Sequence, residues 1–116
     1  MYEKRNVFDK SNTQGWLYGT FMPEGLQKDD RVEIKILKYP KSFTSPLHYQ
    51  KIATKIEIIW EGNSLWRIDD EEIILKSGDY IILPPMTKTA IVKILSDYLI
   101  LETIKIPSYP KDKTFA

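Results

Sequence analysis

Apolar and polar residues alternate with a period of two along much of this chain, and the alternation is broken at short intervals. Residues 31–39 (RVEIKILKY) show it most clearly. Val32, Ile34 and Ile36 fall on one face of an extended segment, and Glu33, Lys35 and Leu37 on the other. Similar short runs predict strands over 15–21, 47–50, 55–60, 64–69, 72–75, 79–83, 89–95 and 98–106. The connections carry turn chemistry. MPEGLQKDD and PKSFTSP read as loops, while residues 61–63 (EGN), Asp69-Asp70-Glu71, Ser77-Gly78-Asp79 and Ser96-Asp97 read as turns. Pro84-Pro85 ends the strand before it, because proline has no ladder donor. The last residues, PSYPKDKTFA, read as a loosely held polar tail. No segment carries a helical period, so about nine short strands imply a sandwich or a small barrel.

Composition supports that reading. Isoleucine occurs 16 times and alanine only three times, a bias that suits pleated sheets and disfavours long helices. The 116 residues suit a single domain. Lysine and arginine number 17 against 16 acidic residues, a net charge of +1. Nucleic acid and anionic membrane surfaces, which demand a basic excess, are therefore not expected partners. The chain has no cysteine. That excludes disulfides, thiolate metal sites and cysteine nucleophiles. The polar start, MYEKRNVFDKSNTQG, lacks a signal-peptide core, and no run is long enough to span a bilayer. The expected location is the cytoplasm.

One stretch carries more than a fold class. LHYQKIATKIEIIWEG, followed by WRIDDEEIILKSGDYIILPPMTKTA, resembles a small single-domain cupin of the cupin-2 type. His48-Tyr49-Gln50 stands where that family has H-x-H, Lys55 at its usual Glu, and Glu61-Gly62 at the closing turn. Ser77-Gly78-Asp79 and Pro84-Pro85 match the second motif, with Thr89 at its His position. The resemblance implies an all-β, double-stranded β-helix, the jelly-roll barrel. Its core would cover about residues 30–107, with 1–29 an N-terminal strand and loop and 108–116 the tail. It also implies a homodimer, since cupins often extend or swap N-terminal strands. Metal-bearing cupins resemble a cage of three His and one Glu, of which only His48 is present here. A degenerate motif follows, with no metal and no cofactor, because an amide, a hydroxyl and a lysine are poor ligands for first-row metals. An unconventional set of Glu33, His48 and Glu57 stays open as an alternative.

The candidate ligand-binding residues are His48, Gln50, Lys55, Glu57 and Thr89. His48, the only histidine, has an ordinary pKa near neutrality and is the candidate catalytic group. Gln50 shares its strand face, and Lys55 and Glu57 share another, read as facing the barrel interior. Trp60, Trp66 and Tyr80 read as core aromatics. The second face of KIEIIW, with Ile81 and Leu83, reads as an apolar surface for sheet packing or a dimer. The expected function is a metal-free module binding a small polar molecule such as a sugar or carboxylate. The alternatives are a metal-independent isomerase, epimerase or lyase using His48, a metal-dependent oxygenase or isomerase with unusual ligands, and a structural subunit with a filled barrel. No phosphate loop, nucleophile elbow or calcium loop is present.

Overall fold

The computed structural model describes residues 1–9, 14–23 and 25–116. Residues 10–13, in the polar start, and Glu24, in the first expected loop, lie outside the described residues. Ten strands form two five-stranded antiparallel sheets. They are β1 (Trp16–Tyr18), β2 (Glu33–Pro40), β3 (His48–Gln50), β4 (Thr54–Glu61), β5 (Asn63–Ile68), β6 (Glu71–Lys76), β7 (Tyr80–Leu83), β8 (Thr89–Ile94), β9 (Tyr98–Ile106) and β10 (Lys113–Phe115). One sheet has the order β1-β2-β9-β4-β7 and the other β10-β3-β8-β5-β6. Apart from the hairpin-like neighbours β1–β2 and β5–β6, consecutive strands cross between the sheets, and the two wrap into the expected all-β double-stranded β-helix.

The turns form where the sequence places them. Between β4 and β5, Gly62 adopts φ +111°, and a Cβ there would lie 2.5 Å from the Tyr98 carbonyl oxygen. Only glycine fits that turn. A bulge between Ile59 and Glu61 interrupts the pairing of β4 with β9 and leaves Trp60 and Glu61 both exposed. The core lies between the two sheets, where Ile59, Trp66, Leu75, Ile91, Ile94, Leu99 and Leu101 pack together. Trp66 donates its indole N–H to Ser64 Oγ at 2.7 Å, so its polar edge is satisfied inside the core.

Four expectations need correction. Trp60 and Tyr80 are 57% and 64% exposed, whereas Trp66 is 2% exposed as expected. Ile81 and Leu83 face the core rather than an outer surface, and the outward pair on β7 is Tyr80 and Ile82. The first strand is only three residues long. The tail is not loose. It forms a 3-10 turn at Pro110–Asp112 and then β10, which pairs with β3. Asp112 anchors it, accepting backbone N–H bonds of 2.8–3.0 Å from Lys51, Ile52 and Ala53. A buried carboxylate holding three successive amides is well satisfied by charge-assisted bonds.

Candidate functional site

Beside this core the usual arrangement is inverted. Cross-strand register places Glu33, Lys105, Lys55 and Leu83 in one row across β2, β9, β4 and β7. The adjacent row is Lys35, Thr103, Glu57 and Ile81. These rows face the interior, where Lys55 and Glu57 are only 4% and 3% exposed. Side chains alternate along each strand, so the isoleucines between them must point outward. They form the rows Ile34, Ile104, Ile56, Ile82 and Ile36, Glu102, Ile58, Tyr80.

The polar rows border a cavity of about 100 Å³. His48, Lys55 and Glu57 line it, together with Lys35, Lys105, Lys113, Ser45, Thr103 and Tyr39, and with Phe43, Trp66, Ile91 and Leu101 on the apolar side. Lys55 Nζ lies 3.5 Å from Glu57 Oε1 and 3.1 Å from His48 Nε2. His48 Nδ1 lies 2.8 Å from the Pro46 carbonyl oxygen. A carbonyl can only accept, so Nδ1 carries the hydrogen and Nε2 offers its lone pair to Lys55. Thr103 donates its hydroxyl to Glu57 Oε2 at 2.7 Å. Glu33 lies to the side, where it accepts from the Tyr109 N–H at 3.1 Å and stands 4.0 Å from Lys105 Nζ.

The electrostatics follow from burial. Desolvation, then the Lys55 charge, pushes the His48 pKa down to about 4. Burial also lowers the pKa of Lys55, Lys35, Lys105 and Lys113, although Glu57 opposes this at Lys55 and Lys35. Tyr39 is pushed up to about 12 by burial and then by the Glu57 charge.

Three of the five sequence-derived site residues, His48, Lys55 and Glu57, thus meet around one cavity. The other two do not line it. Gln50 Nε2 and Thr89 Oγ1 are buried, and neither has a hydrogen-bond partner. Thr89 pairs with His48 across β3 and β8. Polar lining residues that escape the sequence reading include Lys35, Thr103, Lys105 and Lys113. The first three carry a usable signal: Lys35 alternates with Glu33, and Lys105 with Thr103, as Lys55 does with Glu57. Lys113 carries none, because only the docked tail brings it here.

The donor set does not suit a divalent metal. The Lys55 ammonium stands between the lone imidazole and the nearest carboxylate, where it repels a second cation. Among the described residues, no three His, Asp or Glu side chains gather in a way that could hold a metal ion. The alternative set of Glu33, His48 and Glu57 is therefore not assembled.

No family model and no curated protein matches the sequence. Solved structures do match in fold. A cupin protein from Bacteroides fragilis is 23% identical with a TM-score of 0.61, over 74% of this chain and 73% of that one. An uncharacterized conserved protein with a double-stranded β-helix domain from Klebsiella pneumoniae is 12% identical with a TM-score of 0.69, over 78% and 79% of the two chains. DMSP lyase DddQ from Ruegeria pomeroyi is 16% identical with a TM-score of 0.66, over 77% of this chain but 45% of that enzyme. The fold is thus cupin-like; at these identities the likeness extends no further.

Proposed function

We propose that this cupin-like protein is a metal-free binding module whose barrel interior holds a small polar molecule such as a sugar or carboxylate. The supporting observation is the cavity itself, which gathers His48, Lys55 and Glu57 around a space of about 100 Å³. A barrel selected only for stability would fill this space with apolar side chains, because buried ion pairs are rarely better than well-packed hydrocarbon. A thermal-shift screen of sugars and small carboxylates, on protein purified without added metal, tests the reading. The protein should gain stability with a subset of compounds, lose that gain in Glu57→Gln, and show no change with a chelator. If no compound shifts the midpoint, or if stoichiometric metal is found, the reading is wrong.

Proton-transfer catalysis at His48 is less well supported. Both ring nitrogens are engaged, and with a pKa of about 4 the imidazole is a weak base near neutral pH. Among the described residues no helix is long and apolar enough to cross a membrane. A cytoplasmic setting is part of the proposal.

We also propose a homodimer through the outer isoleucine face. Ile82 and Tyr80 are 58% and 64% exposed at one edge of an apolar row that continues through Ile56, Ile104 and Ile34. From strand spacing and rise, such a face offers roughly 500 Å² per copy, or on the order of 1,000 Å² for a pair. That meets the lower bound of a specific interface. A single sheet face pairing with its own copy satisfies two-fold symmetry. Light scattering should give twice the chain mass for the native protein and the single mass for Ile56→Lys. A native monomer at high concentration would eliminate this assembly.

A further inference from the structure

The lysines lining the cavity are not all balanced by the protein's own carboxylates. Lys55 pairs with Glu57 at 3.5 Å, and Lys105 faces Glu33 at 4.0 Å. Among the described residues, Lys35 and Lys113 have no carboxylate within ion-pairing distance. Their ammonium groups rest instead against aromatic faces. Lys35 is 5.0 Å from the Trp16 ring centre and 5.8 Å from that of Tyr39, and Lys113 is 5.4 Å from that of Phe115. Three of the lysines also repel one another: after burial, Lys105 and Lys35 lower the pKa of Lys113, and Lys35 lowers that of Lys105, where Glu33 and Glu57 oppose it. A protein gains nothing in stability by converging cations at a partly dehydrated cavity. The position of Lys113 adds to this argument. It enters the site because Asp112, the residue before it, is tied to three backbone amides of the segment between β3 and β4.

We infer that the ligand is a small carboxylate whose negative group lies between Lys35 and Lys113. This rests on the binding reading above and narrows it to an anion. A cavity of about 100 Å³ has room for about three waters. That space accepts a carboxylate and the first carbons behind it. The carbons meet Phe43 and Leu101, while Ser45 and Thr103 offer hydroxyls nearby. A single carboxylate then offsets one of the two positive charges that Lys35 and Lys113 leave over.

Calorimetric titration of the full chain with acetate, propionate and malonate, each against its neutral amide, tests the inference. The acids should bind and the amides should not, and affinity should fall as sodium chloride is raised. Lys35→Met and Lys113→Met should each weaken acid binding about tenfold or more, as expected for loss of a charge-assisted contact. Lys111→Met, on the same tail but outside the cavity, should leave it unchanged. Without ligand, Lys35→Met should melt no lower than the native protein. A merely structural lysine would show the opposite pattern, with stability lost and affinity kept. If amides bind as well as acids, or if both lysine variants retain full acid affinity, the anion assignment falls while the binding module stands. If neither acids nor amides bind, the anion assignment falls, and the binding module falls with it only if the sugars of the thermal-shift screen also fail to bind.

Discussion

His48 Nε2 accepts a hydrogen bond from the Lys55 ammonium at 3.1 Å, so the only histidine of the chain is held neutral by burial and by a neighbouring cation. Its other nitrogen is committed to the Pro46 carbonyl. This fixes both tautomer and charge, and a pH dependence follows. The imidazole has a folded pKa of about 4, against about 6.5 in an unfolded chain. Above about pH 6.5 neither state is protonated and His48 contributes no slope. As pH falls toward 4, the unfolded chain takes up a proton that the folded one refuses, and stability drops by up to about 3 kcal/mol. Urea denaturation between neutral and mildly acidic pH should show this loss in the native protein. It should be absent in His48→Gln, and parallel curves for the two proteins would disprove the assigned charge state.

The Lys55–Glu57 pair should behave asymmetrically. Removing one partner strands a buried charge, at about 3–5 kcal/mol. Lys55→Met and Glu57→Gln should each destabilise on that scale. The double variant should be more stable than either single one. Additive losses in a double-mutant cycle would mean that the two groups are not electrostatically coupled.

Thr89 invites the opposite experiment. Its hydroxyl is buried without a partner, which costs about 1–3 kcal/mol. Thr89→Val keeps the shape and removes the orphaned group. It should raise the melting temperature or leave it unchanged. A marked drop would show that the hydroxyl has a partner in solution.

Asp112 joins tail and barrel. Asp112→Ala removes the acceptor for the backbone N–H groups of Lys51, Ile52 and Ala53. The variant should lose roughly 2–4 kcal/mol. Amide exchange should accelerate at β10 and at residues 51–53, with the β5–β6 hairpin unaffected. Unchanged protection of β10 would show that pairing with β3 alone holds the tail.

Much of this was legible in the order of residues. Period-two alternation located the strands, and Gly62, Asp69-Asp70 and Gly78 located their turns, because these signals act over a few neighbouring residues. The His48–Gln50 and Ser77–Pro85 segments carried the barrel frame, and Lys55 with Glu57 marked an interior polar face. Alternation does not say which face is inside, however. For β2 and β9, turning Glu33, Lys35, Thr103 and Lys105 toward the interior and Ile34 and Ile104 away from it reverses what hydrophobicity alone favours. Only the closure of two sheets around a shared interior decides it. The same holds for Trp60 and Tyr80, which lie on outward positions of β4 and β7 despite their apolar mass.

Local sequence thus determined the strands, the turns and the absence of any thiolate chemistry, because each depends on near neighbours or on composition. Tertiary structure alone decided that Lys35, Lys105 and Lys113 converge on His48, Lys55 and Glu57. Those groups come from β2, β9, β10, β3 and β4, separated by up to 78 residues in sequence. They meet only when antiparallel register and the Asp112 anchor close the barrel, and the charge left unbalanced there is a property of that closure rather than of any segment.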